Sequence, residues 1–191
     1  MLGLPRHTVQ VVPSQADWAR LGETACRALR AQGGPWLVDV QHVGSTAVPG
    51  LAAKPILDIA LALSHAGVVP ALTRQLAPLG YCYRGDHGED GGHLWVMAPE
   101  PQLRTAHLHG VLAGSAQWRR YLQLRDALRA DAELRHDYAQ LKQALARQFA
   151  HDRQRYTAGK APWLARVLQT LATAPYDPPA GLTGPDPAPR P

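Results

Sequence analysis

Between residues 14 and 114 the apolar positions change period several times, and each change marks an element. Ser14 to Asp17 has the form of a capping box, and Trp18, Leu21, Ala25, Cys26 and Leu29 follow at helical spacing up to Gly33, Gly34 and Pro35. Residues 36–43, WLVDVQHV, read as a strand running into Gly44 and Ser45. The stretch from Thr46 to Lys54 carries Pro49 and Gly50 and reads as a loop. Residues 55–63, PILDIALAL, are apolar except for Asp58, the pattern of a strand buried within a sheet. A helix is predicted near 66–78, ending at Gly80, then a short strand at 81–84 and a Gly-rich loop at 85–92. Two antiparallel strands follow at 93–98 and 105–112, joined across Pro99 and Pro101.

Beyond Gly114 and Ser115 the period becomes 3.6. Leu134, Tyr138, Leu141, Leu145 and Phe149 form one apolar stripe, and Leu164, Val167, Leu168 and Leu171 form another. After Thr173 the chain is Pro-rich with nothing to bury, so disorder is expected there. The expected class is α+β. Residues 1–114 make a core of strands and helices, 115–174 a helical region packed on it, and 175–191 a Pro-rich tail.

Composition narrows the picture. No apolar run approaches the ~20 residues of a membrane span, and the first residues lack the form of a secretory signal. Cys26 and Cys82 have no metal-type spacing and are too few for a disulfide scaffold, so a cytoplasmic protein is expected. The net charge of +5 arises from one region, 118–170, with eleven basic and five acidic side chains. A solvated, arginine-rich helix face accounts for this as readily as an anion-binding surface. The basic residues lack aromatic interleaving, which argues against a nucleic-acid partner. Only three of the 20 basic residues are lysines: Lys54, Lys142 and Lys160.

Three groups carry candidate chemistry. Gly44, Ser45 and Thr46 end a strand where exposed N–H groups and a hydroxyl could receive a phosphate, with Lys54 adding charge, although two small residues after a strand, taken alone, favour a plain turn. Asp58 is costly inside an apolar strand unless a cation, a metal or hydrogen bonds compensate it. His107 and His109, two apart on one strand, share a face and suit metal binding or proton transfer, and His42 at the end of its strand is a third candidate ligand. Arg104, Arg125, Lys142 and Lys160 are candidates to hold phosphates, or else partners in ordinary ion pairs. Tyr138 and Lys142 are one turn apart and share a helix face.

The segments HVGSTAVPGLAAKPILDI (42–59), RTAHLHGVL (104–112) and 124–160 together resemble the GrpB family over about residues 6–172. The resemblance implies a nucleotidyltransferase-like fold, a small mixed sheet flanked by helices with a C-terminal helical region. Some members are fused to dephospho-coenzyme A kinase. In the superfamily pattern a Gly-Ser turn precedes two carboxylates, one residue apart on a strand, that hold divalent metals and position a nucleoside triphosphate. Gly44 and Ser45 match the turn and Asp58 the first carboxylate, but Ala60 stands at the second position and cannot bind a metal. With the candidates read from the residues themselves, the expected nucleotide-binding set is Gly44, Ser45, Thr46, Lys54, Arg104, Arg125, Lys142 and Lys160. Asp58, His107 and His109 are the catalytic candidates, and with His42 they would hold Mg²⁺, Mn²⁺ or Zn²⁺. The expected activity is metal-dependent nucleotidyl transfer. The alternatives are a catalytically inactive nucleotide- or coenzyme A-binding module and a His/Asp metal-dependent hydrolase.

Overall fold

The computed structural model describes residues 2–88, 92–173 and 176. A two-residue strand, β1 (Leu4–Pro5), leads to helix α1 (Asp17–Gly33) and strand β2 (Leu37–Val43). Strand β3 (Leu57–Leu63) and helix α2 (Val69–Leu76) follow. Next come β4 (Tyr81–Asp86), β5 (His93–Met97), β6 (Leu103–Arg104) and β7 (Ala106–Leu112). The chain then turns helical, with α3 (Ala116–Ala130), α4 (Ala132–Gln148) and α5 (Arg153–Ala172). Each of these last three helices starts on a side-chain cap: Ser115, Asp131 and Asp152 accept from backbone N–H groups of the first turn. Helix α1 has no such cap; Ser14 Oγ instead accepts from Gly50 N at 3.2 Å, so the capping box read at its start is not formed.

Five strands form one mixed sheet in the order β2-β3-β7-β5-β4. Strand β3 pairs antiparallel with β2 and parallel with β7, which places it at the centre of the buried region. Alternation along β3 divides the core in two. Leu57, Ile59, Leu61 and Leu63 pack with Cys26 and Leu29 of α1 and Leu72 and Leu76 of α2. On the other face Ala60 and Ala62 pack under Trp118 and Leu122 of α3. Small residues there let α3 lie close to the sheet. The tail expected from residue 174 onward falls outside the described residues except for Tyr176. That side chain packs on the Trp118 cluster and donates from its hydroxyl to Asp126 Oδ2 at 2.8 Å, so this part of the tail does bury surface. Among the described residues no helix is long and apolar enough to cross a membrane.

The two faces decide where His42 lies. It shares a strand face with Val40, which packs in the α1 and α2 core, while Gln41 and Val43 face α3. Gly22 of α1 sits directly against the His42 ring, and a methyl group there would overlap it. Gly22→Ala is therefore expected to destabilise the fold by about 1–3 kcal/mol. The cost should shrink toward zero in a His42→Ala background, as read by a denaturation double-mutant cycle. An equal cost in both backgrounds would place the ring elsewhere.

Candidate functional site

The register of β3 and β7 builds the site. Parallel pairing sets Asp58 beside His107 and Ala60 beside His109, all on the face turned toward the C-terminal helices. Asp58 Oδ1 lies 3.3 Å from His107 Nδ1 and 3.3 Å from His109 Nε2. The three ligand atoms fall within 4.8 Å of one another. A separation of 3.3 Å is long for a charge-assisted hydrogen bond. It matches the edge, about 3.3 Å, of a tetrahedron with metal bonds of about 2.0–2.1 Å. Two imidazoles and a carboxylate suit Zn²⁺ or Mn²⁺ better than Mg²⁺, which prefers oxygen. His107 Nε2 is buried and has no hydrogen-bond partner among the described residues. Ala60 is fully buried beneath α3 in an apolar cluster, so the position where the superfamily pattern has a second carboxylate offers no metal donor.

Burial alone would raise the Asp58 carboxyl. Hydrogen bonds from His107 and His109, with their charge, outweigh it and hold the group well below the usual carboxylate range. Burial pushes His107 down, against the pull of Asp58. Gly44 closes the approach to Asp58. Its φ is 66°, and a Cβ there would stand 2.8 Å from Asp58 Oδ2, so only glycine fits both the backbone and the space.

This face opens into a cavity of about 290 Å³ whose walls include Gly44, Ser45, Asp58, His107 and His109. All three lysines of the chain line it. Lys142, on α4, is almost completely buried and donates from Nζ to Ser45 Oγ at 2.9 Å and to the Ala52 carbonyl at 2.5 Å, tying the 44–54 loop to the helix. Its amine stands 4.6 Å from the centre of the Tyr138 ring. Lys54 and Lys160 flank the Tyr156 ring at 5.3 and 5.0 Å. Burial, followed by repulsion from Lys160, pushes Lys142 down to about 7 and Lys54 down to about 8. Lys160 is also lowered by burial. No carboxylate forms an ion pair with any of the three among the described residues. The cavity is therefore short of negative charge.

Other candidates are placed differently. His42 is on the opposite face of the sheet from Asp58 and does not join the metal cluster. Burial, aided by Arg129 and Arg125, pushes its ring down to about 4, and its Nε2 is 3.0 Å from Thr46 Oγ1. The Thr46 hydroxyl donates to the Ile56 carbonyl, so it lines the cavity with its polar capacity already used. Arg125 is buried and spends its guanidinium on Asp126, Gln41 Oε1 and the His42 carbonyl, binding α3 to β2. Arg104 is not among the lining residues. Arg153, Tyr138 and Tyr156 do line the cavity. In the sequence both tyrosines are readable either as core residues or as residues reaching over a cleft, and Arg153 is not singled out, because no local pattern distinguishes it from the other arginines.

The mixed sheet, the helices on both faces and the Gly-Ser turn beside a sheet carboxylate define a nucleotidyltransferase-like fold. A cytoplasmic RNA terminal U-transferase shares the fold at a TM-score of 0.50 and 14% identity, over 71% of this chain and 41% of that one. The chain belongs to the GrpB family, whose model, described as GrpB protein, matches residues 8–170. The crystal structure of conserved protein GrpB from Enterococcus faecalis superposes with a TM-score of 0.76 at 28% identity, covering 85% of this chain and 96% of that one. UPF0157 protein PA4798 of Pseudomonas aeruginosa is 36% identical over 162 residues, 84% of this chain and 66% of its own length. The chain thus spans between about half and two thirds of the length of such curated relatives.

The lowered lysines fix a pH dependence. The unfolded chain keeps these protons up to about 10.4, whereas the folded chain releases them near 7 and 8. Between those limits the unfolded state binds more protons, so stability rises with pH. Denaturation midpoints of the ligand-free protein are expected to climb from pH 7 to 8, before the thiol of Cys26, which burial pushes up to about 11 in the folded chain, begins to ionise in the unfolded chain and oppose the trend. Lys142→Met should flatten the climb. An unchanged slope in that variant would contradict the assignment.

Proposed function

We propose that this chain binds a nucleoside triphosphate by its phosphates in the lysine-lined cavity and transfers the nucleotidyl group to an acceptor. In this reading a divalent metal is held by Asp58, His107 and His109. The observation that carries it is the meeting, in one cavity, of three amines that form no ion pair among the described residues with a three-donor metal cluster. A triphosphate supplies the missing negative charge, and Lys54 and Lys160 are free to receive it. Lys142 and Ser45 hold the Gly44 turn in place, so the turn's backbone can approach the phosphates. A bound metal would polarise the phosphate and stabilise the charge that develops as pyrophosphate leaves. The two imidazoles on β7 supply donors where the superfamily pattern has carboxylates.

Ala60 favours a second reading, in which the cavity binds a nucleotide or a coenzyme A-like molecule without turnover. Asp58→Asn separates the two: it removes turnover in the first reading and has no turnover to remove in the second.

The metal cluster is tested directly by metal analysis of the purified protein. About one transition-metal ion per chain is expected in the wild type and in His42→Ala, and almost none in His107→Ala/His109→Ala. Equal content in the wild type and the double variant would sink the cluster as a metal site.

A further inference from the structure

The face that carries Asp58 and the two histidines continues past the cavity onto β5 and β4. Register places Val96 beside His107 and Leu94 beside His109, and then Cys82 beside Val96. At roughly 4.8 Å per strand, β4 lies about 10 Å from the histidines. On this face Cys82 and Arg84 are exposed and Leu94 is half-buried, while Val96, between Cys82 and His107, is covered. The β4 edge is therefore an exposed ledge separated from the metal cluster by the one buried side chain of Val96.

Four arginines border the ledge and the cavity mouth. Arg84 projects from β4, Arg104 from β6 and Arg6 from the turn after β1, which pairs with β6. Arg153, at the start of α5, lines the cavity itself. Arg104 is repelled by Arg153, Arg6 and Arg84, and Lys54 by Arg153 and Arg104, so the group is electrostatically continuous with the lysines. None of the four guanidinium groups makes a hydrogen bond or ion pair among the described residues. The carboxylate on the same strand, Asp86, accepts from Gly88 N instead. Unpaired arginines packed this closely repel one another, and an anion relieves that cost.

We propose that this ledge binds the phosphate of a phosphorylated small-molecule acceptor, held by Arg84 and Arg104 with Arg6 and Arg153 alongside. The acceptor role rests on the nucleotidyl-transfer reading; the anion site does not. An acceptor anchored here extends its free hydroxyl toward Asp58 and the histidines. Its oxygen bonds to the α-phosphorus, the bond from that phosphorus to the bridging oxygen breaks, pyrophosphate leaves with the electron pair, and the hydroxyl proton passes to solvent. Arginine forks suit a phosphate dianion through paired charge-assisted hydrogen bonds. A nucleic-acid strand is disfavoured because the ledge offers no ring for base stacking: Trp95 is fully buried, and Tyr83 packs on the opposite face.

The test is calorimetric titration of the full chain at low salt with inorganic phosphate and with ribose 5-phosphate. Two anion sites are expected in the wild type. Arg84→Ser/Arg104→Ser should weaken one about tenfold or more, as loss of a charge-assisted hydrogen bond implies. Lys54→Met/Lys160→Met should weaken only the other. Arg6→Ser/Arg84→Ser, in which both residues are exposed, keeps the test available if Arg104→Ser does not fold. A wild-type isotherm that shows the arginine site but no lysine-dependent site overturns the nucleotide reading and leaves the arginine site standing. An unchanged two-site isotherm in both arginine variants overturns the proposal. So does a single-stranded oligonucleotide that binds at least tenfold more tightly than ribose 5-phosphate, with a salt slope of several phosphates.

Discussion

One carboxylate in a sheet face governs this molecule. Asp58 sits in a strand whose other side chains are apolar, and a charge held at the wall of a cavity there is costly unless something compensates it. The parallel register of β3 with β7 resolves this by bringing His107 and His109 to its Oδ1. That register depends in turn on the crossover through α2, β4 and β5, which returns the chain to the centre of the sheet. Gly44 must remain side-chain-free because Asp58 occupies the space a Cβ would take. The turn, the carboxylate and the two imidazoles are therefore one construction.

Around it the protein gathers positive charge that it does not neutralise. Lysines occur nowhere else in the chain, although arginine is the ordinary basic residue here. An ammonium is a compact point charge whose proton affinity shifts readily on burial, which a guanidinium resists. Lys142 uses its bonds to hold the loop, and Lys54 and Lys160 stand against Tyr156 without a carboxylate partner. Such an arrangement is costly in the empty protein and favourable once an anion enters.

Much of this was legible in the sequence. The lone charge in PILDIALAL singled out Asp58, and the two-residue spacing paired His107 with His109. The four-residue spacing of Tyr138 and Lys142 gave a shared helix face, and the structure places the amine over the ring. His42 shows where such reasoning stops. Its own strand fixes only which residues share its face; whether that face meets Asp58 depends on the antiparallel pairing of β2 with β3 and on α1 covering the other side. Arg125, which lines the cavity with its guanidinium engaged by Asp126, Gln41 and His42, and Arg104, which lies outside the lining, could not be told apart in sequence for a related reason. A long side chain on a known element can still reach a helix partner, a carbonyl or solvent, and only packing decides. Of the four arginines at the ledge only Arg104 stood out in the sequence, because the group comes from four separate segments.

The central claim, that one cavity takes a nucleotide through its amines and a metal through Asp58, is met most directly by a thermal-shift titration. The four nucleoside triphosphates would each be run with EDTA, Mg²⁺, Mn²⁺ and Zn²⁺, for the wild type and Asp58→Asn. At a hundred times its Kd a ligand adds about 2.7 kcal/mol of stability, a readily measured shift. The account predicts stabilisation by at least one nucleotide that is strengthened by Mn²⁺ or Zn²⁺, with the metal-dependent part lost in Asp58→Asn. Absence of any nucleotide shift, or a metal-dependent shift undiminished in the variant, would contradict it.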